Sequence, residues 1–324
     1  MIMGVVDRRK FLKSLSLYAP IYLTGCSVLR HYDVCSDCNP LSLFDPSKKP
    51  KESESQTPHD TAGAEDMGEV HSHEELSVQE LSDELLKDAQ AKSLYFSQDF
   101  PDDIFFHGEK YALVQAMAVK FRLVQRHVGY GNFNVIGMDE FFLLSERIPE
   151  IGGVSSKEKA FLEELFYFDA KKYGFLGDKV FISFTDSLKK RELEKVPYTG
   201  HFLRRGDSLE IYNKISKNVG ESITLTSGVR ALAKQFHLFL EKAIDTKGNM
   251  SKASRSLAPP GYSFHGQNDF DVGKKGFGLR NFTNDLAHTD EYKKLLDLGY
   301  IKIRYTKSNV LGVRFEPWHI KVES

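Results

Sequence analysis

The sequence has few cysteines, a single tryptophan and no excess of charge of either sign. Its three cysteines, Cys26, Cys35 and Cys38, all lie near the N-terminus, which confines cysteine chemistry to that end of the 324-residue chain. The 44 basic and 45 acidic side chains leave a formal net charge of -1, so no global field favours nucleic acid as a partner. The hydrophobic fraction of 41% is enough to build a core.

Several common catalytic signatures are also missing. The sequence has no phosphate-binding loop of the GxxxxGK type and no dinucleotide fingerprint. No nucleophile-elbow sequence supports a Ser-His-Asp triad. No internal repeat is present either. The chemistry must therefore be sought in histidines and carboxylates.

The N-terminal segment is typical of an export signal. Arg8 and Arg9 precede a mostly apolar run at 15–23, which is too short to cross a bilayer of about 30 Å as a helix. RRKFLK resembles a twin-arginine signal, and LTGC, ending at Cys26, resembles a bacterial lipobox. We therefore expect residues 1–26 to be a lipoprotein signal. Lipidated Cys26 would anchor the protein in the bacterial cell envelope, facing the periplasm. The alternative is a basic N-terminus followed by a chance apolar stretch.

Residues 27–77 change in composition toward Pro, Ser, Glu, Asp and Lys. Such a segment cannot bury enough apolar surface to offset the entropy of ordering, so it is predicted to be a disordered tether. Cys35 and Cys38 within it could form a small disulfide in an oxidising envelope or be incidental, and a metal role would need two further ligands.

Two structural regions are predicted after the tether. Residues 78–190 show helical spacing of apolar residues, including Glu109–His127 and a helix whose capping box is Ser155 with Glu158. Residues 191–324 mix helices with short strands, and the final pair, IKIRY and GVRFEPWHIKV, is expected to be antiparallel. The prediction is an α+β fold with a small antiparallel sheet and flanking helices, preceded by a helical N-terminal region. The stretch GYGNFNVIG between two helices is expected to be a loop.

Two histidines near acidic residues suggest a metal site. His265 is followed by Asp269 and Asp271, and His319 is preceded by Glu316. Catalytic zinc takes three protein ligands and leaves a position for water. Two histidines and an aspartate would supply that set, and a separate glutamate could act as base.

Pro317 interrupts the last predicted strand between Glu316 and His319. In a regular strand, residues three apart point to opposite faces. Proline cannot donate to a sheet ladder and restricts the residue before it. We therefore expect Glu316 where the strand begins and His319 within it, so that both side chains reach one site. An edge strand with an incidental proline is the alternative.

These residues resemble a known family. SFHGQNDFDVG followed by EPWH is similar to the VanY-type zinc D-alanyl-D-alanine carboxypeptidases, whose fold is shared with D-Ala-D-Ala dipeptidases and the hedgehog domain. The family pattern is Ser-x-His-x-x-Gly-x-Ala-x-Asp and then Glu-x-Trp-His, with Ser-Gly-Tyr-Arg and a later Gln upstream. The upstream element reads SGVR here, with Gln235 five residues after Arg230.

The resemblance implies roles for particular residues. His265, Asp271 and His319 would bind zinc, and Glu316 would be the catalytic base. Arg230 would bind the substrate and stabilise the oxyanion. Ser263 and Gln235 would lie at the substrate.

Two departures from the pattern concern the loop after His265. Asn268 replaces the family glycine, and the spacing from histidine to aspartate is one residue shorter. Alignment on the following hydrophobic residue, Val272, makes Asp271 the ligand, whereas Asp269 remains a possible substitute.

The sequence therefore predicts a zinc-dependent, envelope-anchored peptidase that cleaves peptidoglycan stem peptides next to a D-amino acid. The expected mechanism uses zinc-bound water activated by Glu316. The alternative is a non-catalytic envelope lipoprotein that keeps the fold and binds peptidoglycan or a protein partner. The altered loop favours that alternative, and the full set of family residues argues against it.

Overall fold

The computed structural model describes residues 82–323. The chain divides into two units, Met1–Glu74 and Glu75–Ser324, and all described residues belong to the second. The predicted signal at 1–26, with Cys26, and the predicted tether at 27–77, with Cys35 and Cys38, lie outside the described residues.

The helices follow the predicted pattern closely. Within the described residues the α-helices are α1 (Asp83–Leu94), α2 (Gly108–Val128), α3 (Tyr130–Phe133), α4 (Met138–Arg147), α5 (Ser156–Tyr167), α6 (Asp207–Val219), α7 (Leu232–Asp245), α8 (Met250–Ser254) and α9 (Asp290–Asp297). Shorter 3₁₀ turns include Phe264–Gly266.

Local sequence signals explain where several helices begin and end. The Ser155 hydroxyl accepts a hydrogen bond from the Glu158 amide, and the Glu158 carboxylate accepts one from the Ser155 amide at 2.8 Å. These two bonds satisfy amides that have no partner within helix α5, which confirms the predicted capping box. Helix α6 ends at Gly220, whose φ of 101° is open to glycine and strained for other residues.

Six short strands form two antiparallel sheets in the described part of the chain. They are β1 (Leu193–Lys195), β2 (Phe202–Arg204), β3 (Ile223–Ser227), β4 (Phe270–Lys274), β5 (Lys302–Ile303) and β6 (His319–Lys321). Strands β1 and β2 form a hairpin, and the other four form a sheet in the order β3-β4-β6-β5. The result is the α+β architecture with small antiparallel sheets that the sequence predicted.

Strand β4 lies between β3 and β6 and alternates its side chains between two faces. Phe270 and Val272 pack into the core beneath the sheet with Ile320 of β6. Asp271 points to the other face, because successive residues of a strand alternate. The alternation of FDV and HIK in the sequence thus turns one acidic and one histidine side chain toward the same surface.

The largest hydrophobic core joins the N-terminal helices to the C-terminal half. Phe121 of α2 stacks on Phe141 of α4 with ring centroids 4.0 Å apart, and on Phe236 of α7 at 5.9 Å. The burial of α7 therefore depends on the N-terminal helices that contribute to this core. The regions predicted as 78–190 and 191–324 share one interior.

Two local predictions are wrong. The stretch predicted as a loop after α2 contains the short helix α3. The last strand covers only His319–Lys321, because a turn at Pro317–Trp318 occupies the position where the longer strand was expected. No helix within residues 82–323 combines the length and apolar character needed to cross a membrane.

Candidate active site

Asp271 and His319 are cross-strand neighbours. The antiparallel register of β4 and β6 places them directly opposite each other, where side chains on one face come close. His319 Nδ1 lies 3.4 Å from Asp271 Oδ1, and both residues are buried. Two residues far apart in the sequence are brought together because hydrophobic neighbours on the opposite face fix the strand register.

His265 reaches the same point from the 3₁₀ turn Phe264–Gly266. Its Nδ1 lies 2.8 Å from the Gly228 carbonyl oxygen, which can only accept, so Nδ1 carries the proton. Its Nε2 then presents a lone pair 3.2 Å from Asp271 Oδ1. Burial, together with the positive charge of Arg230, lowers the pKa of His265 to about 4. His265 is therefore neutral near pH 7, the form that binds metals.

The three side chains fit a metal ion. One atom from each of His265, Asp271 and His319 lies within 4.8 Å of the others. His265 Nε2 and Asp271 Oδ1 are buried with no hydrogen-bond partner among the described residues. Buried polar atoms are normally satisfied, so two orphaned acceptors facing one point indicate a ligand there. Two imidazoles and one carboxylate are a donor set that zinc uses with an open fourth position.

Arg230 holds the second oxygen of Asp271. Its Nη2 donates to Asp271 Oδ2 at 2.6 Å, and its Nε donates to Ser227 Oγ at 2.9 Å. Burial alone would raise the pKa of Asp271, but the positive charges of His265, which is protonated in acid, and of Arg230 hold that pKa well below its usual range. No partner for Arg230 Nη1 is found among residues 82–323, and the side chain stays 14% exposed. Arg230 can therefore also reach a substrate oxygen.

A β-bulge and a close glycine contact place Arg230. The register of β3 against β4 shifts between Leu225 and Ser227, so Ser227 pairs with Asp271. Gly228 then passes the Phe202 carbonyl so closely that a Cβ would lie 1.9 Å from its oxygen. The Val229 amide donates to this oxygen at 2.8 Å. This turn therefore links the β1–β2 hairpin to the site.

Glu316 approaches His319 through a tight turn. The His319 amide donates to the Glu316 carbonyl at 3.1 Å, with Pro317 and Trp318 between them. Proline suits the second position of such a turn because its φ is already fixed. The turn brings Glu316 Oε2 to 3.6 Å from His319 Nδ1. The two side chains converge on one site, as the interruption by proline predicted.

The other ring nitrogen of His319 faces a different carboxylate. His319 Nε2 donates to Asp269 Oδ2 at 2.9 Å, and Arg304 pairs with the same carboxylate. Burial would lower the pKa of His319, but Asp269, Glu316 and Asp271 outweigh it and raise that pKa to about 9. Asp269 therefore lies behind the His319 ring, and the carboxylate within the three-residue cluster is Asp271.

Gln235 is held by the backbone around Arg230. Its side chain is 3% exposed, its Nε2 donates to the Arg230 carbonyl at 2.9 Å, and its Oε1 accepts from the Gly261 amide at 2.9 Å. One donor and one acceptor of the amide are used by the backbone, so Gln235 positions the Arg230 turn, and its contact with substrate stays a prediction. Ser263 is buried just before the 3₁₀ turn that carries His265, and its contact with substrate stays a prediction.

Sequence reasoning missed Arg304, Tyr305 and Asn134, the partner of His201. The Tyr305 ring lies edge-on to His319 with centroids 4.9 Å apart. Asn134 Nδ2 donates to His201 Nδ1 at 3.2 Å, and the Asn134 carbonyl accepts from the Ala231 amide beside Arg230. None of these residues has a motif around it. Only proximity in the folded chain identifies them.

Comparisons with known proteins agree with the motifs. Residues 207–323 match the family model "VanY: D-alanyl-D-alanine carboxypeptidase". No curated protein matches the chain.

Several solved structures show limited similarity to the chain. A vancomycin resistance D,D-pentapeptidase VanY from a VanB-type resistance cassette, in complex with Zn(II), is 22% identical with a TM-score of 0.32, over 40% of this chain and 78% of that one. The LdcB LD-carboxypeptidase is 22% identical with a TM-score of 0.33, over 45% and 66%. The D,D-dipeptidase VanXYg, in complex with a D-Ala-D-Ala phosphinate analog, is 24% identical with a TM-score of 0.30, over 37% and 50%.

The family match covers Arg230, His265, Asp271, Glu316 and His319 of the candidate site. The motifs that carried the resemblance thus lie within the matched segment. The C-terminal part of the chain, residues 207–323, matches the VanY family of D-alanyl-D-alanine carboxypeptidases, and the predicted resemblance is confirmed.

Proposed function

We propose that the protein is a zinc-dependent peptidase that hydrolyses peptidoglycan stem peptides next to a D-amino acid, as a D,D- or L,D-carboxypeptidase. The observation that carries this proposal is the convergence of His265, Asp271 and His319 on one point, with Glu316 beside them. The family match over the same residues supports the substrate class.

His265 Nε2, Asp271 Oδ1 and His319 Nδ1 would hold the metal. Bound zinc supplies a Lewis acid that polarises the scissile carbonyl and makes water acidic enough to ionise near neutral pH. The Gly228 carbonyl and Asp269 orient the two imidazole rings from behind. Such outer partners fix the ring tautomer and orientation of metal-binding histidines.

Glu316 is the general base. Its carboxylate is buried and lies beside His319 Nδ1, so it can take a proton from water at the site and deliver it to the leaving nitrogen. Arg230 offers a fixed, permanently charged fork of donors, which suits a terminal carboxylate or a developing oxyanion. Its hold on Asp271 Oδ2 also keeps Oδ1 turned toward the metal.

A peptidoglycan-binding lipoprotein without catalysis is the second candidate. The shortened spacing after His265 favoured it at the level of sequence. Asp271 nevertheless joins the cluster despite that spacing, which leaves Asn268 as its only sequence support. Zinc content separates the two candidates, because the binder needs no metal.

We also propose that the chain is a lipid-anchored envelope protein. Arg8, Arg9 and the LTGC stretch ending at Cys26 support this location. A long polar segment at 27–77 would let the folded unit reach substrate away from the membrane.

The test is digestion of defined muropeptides by the purified protein, with products read by mass and zinc measured on the same preparation. We expect near-stoichiometric zinc and loss of a terminal D-amino acid. Chelation should abolish hydrolysis, and added zinc should restore it. A zinc-loaded protein that leaves every muropeptide intact would contradict the proposal.

A further inference from the structure

Asp269 is a buried carboxylate with an unusual number of partners. It is 1% exposed and directly precedes strand β4, two residues before Asp271. Its Oδ2 accepts from His319 Nε2 at 2.9 Å, and its Oδ1 accepts from the Val322 amide at 2.9 Å and from Arg304 Nη2 at 3.0 Å. Arg304 Nε adds a further contact to Oδ2. Asp269 is therefore fixed from three sides.

Arg304 is also firmly held. Its guanidinium stacks on the Phe264 ring at 3.7 Å, directly beside His265. Its backbone amide donates to the His319 carbonyl at 3.1 Å. Arg304 thus contacts both strands of the site and neutralises a buried carboxylate that would otherwise be costly.

This arrangement departs from the family pattern. When the pattern is aligned on Asp271, Asp269 stands where the family has alanine. An alanine side chain can accept no hydrogen bond from a histidine. The alanine of the family pattern could not make the contact that Asp269 makes with His319.

We propose that Asp269 and Arg304 form a positioning pair that fixes His319 as a metal ligand. This inference rests on the proposed function, because it assumes a metal at His265, Asp271 and His319. A neutral imidazole carries one ring proton, and a carboxylate can only accept it. Asp269 therefore places the proton on Nε2 and turns the Nδ1 lone pair toward Asp271 Oδ1. Without Asp269, the ring is free to carry its proton on Nδ1 or to rotate.

The experiment measures zinc affinity of the full chain by competition with a chelator. Asp269→Ala should bind zinc about 10- to 100-fold more weakly, the usual effect of losing an outer partner of a ligand histidine. Asp269→Asn keeps an oxygen acceptor for His319 and should lose less. Lys302→Gln is the matched control, because it breaks an exposed ion pair to Glu323 near the same two strands. It should leave the affinity unchanged.

Two further readouts separate positioning from simple loss of structure. The double variant Asp269→Ala with Arg304→Ala should bind zinc as weakly as Asp269→Ala alone, because both residues act through one ring. Nuclear magnetic resonance of ¹⁵N-labelled histidine, recorded on zinc-free protein at a pH where the His319 ring is neutral, should show its proton on Nε2 in the wild type and a mixed population in folded Asp269→Ala.

Opposite results would overturn the inference. Folded Asp269→Ala and Asp269→Asn proteins that bind zinc within about twofold of the wild type would remove the positioning role while leaving the proposed function intact. A wild-type chain that binds no zinc would overturn both. Loss of all zinc binding in Asp269→Asn would make Asp269 a ligand itself and would also contradict a positioning role.

Discussion

Neighbouring residues of the site have different roles. Glu316 and His319 are three positions apart, and the turn at Pro317–Trp318 carries both toward the same point. His319 supplies a ligand atom to the cluster, whereas Glu316 stands beside it. Substitutions of these two residues should therefore have different effects on zinc content and on activity.

Glu316→Gln keeps the size and shape of the side chain but removes its basic carboxylate. We expect a folded protein with normal zinc content and hydrolysis reduced by roughly 100-fold or more, the scale of losing a positioned base. His319→Ala should lose both zinc and activity. Metal content and turnover measured on the same preparations test this. A Glu316→Gln protein that keeps its activity would contradict the mechanism. A Glu316→Gln protein that binds no zinc would show that Glu316 is a ligand.

His237 gives the protein a pH-dependent stability outside the site. It is buried on α7, and burial, assisted by the charges of Lys234 and Arg122, lowers its pKa to about 3. In the unfolded chain a histidine has a pKa of about 6.5. Below that pH the unfolded state binds the extra proton, so stability falls as the pH drops from 6.5 toward 3.

His237→Gln should reduce this loss. Between pH 7 and pH 5 the wild type should lose on the order of 2 kcal/mol more of its free energy of unfolding than the variant. Chemical denaturation at both pH values measures the difference. His288→Gln, which removes an exposed histidine, serves as control and should follow the wild type. Equal pH dependence in all three proteins would contradict the assignment.

At the scale of elements, one turn connects the hairpin to the metal cluster. Gly228 accepts a hydrogen bond from His265 through its carbonyl and lies directly against the Phe202 carbonyl. The β-bulge just before it sets Ser227 against Asp271. Gly228 therefore joins three elements, which are strand β3, the hairpin and the turn that carries His265, and it can do so because it has no side chain.

Gly228→Ala would place a methyl group 1.9 Å from the Phe202 oxygen, so the backbone must move. We expect a destabilisation of about 1–3 kcal/mol, typical of overpacking, together with weakened zinc binding. Thermal melting and chelator competition measure the two effects. Gly137→Ala is the control, since its new methyl comes no closer than 3.3 Å to any neighbour, the Ser187 side chain, and meets backbone only at 3.9 Å. Equal behaviour of the two variants would argue against this role of Gly228.

At the scale of the described unit, the N-terminal helices complete the interior of the family-matched region. Helix α7 follows the Arg230 turn, and its buried face packs on α2 and α4 through Phe236. Arg122 of α2 also forms an ion pair with Glu241 of α7 at 2.7 Å. The family-matched segment 207–323 therefore buries part of its surface only when these helices are present.

A fragment of residues 191–324 should consequently fail to fold, whereas 78–324 should fold cooperatively. Removing α2, α4 and α5 would expose the apolar face of α7, which favours aggregation. Circular dichroism melts and limited proteolysis of both fragments test this. A stable, zinc-binding 191–324 fragment would show that the C-terminal region is an independent domain, as the sequence alone suggested.

The proposed anchor belongs to the whole chain. Cys26→Ala should release the protein from the membrane fraction, because it removes the residue that would carry the lipid. Fractionation and mass analysis of the mature N-terminus measure this. A parallel change of Cys35→Ala should leave the distribution unchanged. A wild-type protein without lipid, or a Cys26→Ala protein that stays with the membrane, would contradict the anchor.

Much of the fold and site could be predicted because its signals are local. The capping box at Ser155, the stop at Gly220 and the strand before Gly228 depend on neighbours within a few residues. The short motifs around His265 and Glu316 likewise bring residue types with suitable chemistry into a known order. The family and the identity of the clustered histidines followed from these motifs alone.

Other features depended on contacts between distant segments. The sequence left Asp269 and Asp271 as alternatives, and the strand register separated them by directing Asp271 to the cluster and Asp269 to the back of His319. The sequence placed Gln235 near the substrate, and packing shows that its amide also holds the backbone at Arg230 and Gly261. By itself, the sequence determined which residue types and local elements are present, since spacing and caps act over a few residues. Only the tertiary structure decided that Arg304 supports the site and that α2 and α7 share a core, because register and packing join residues that no local pattern connects.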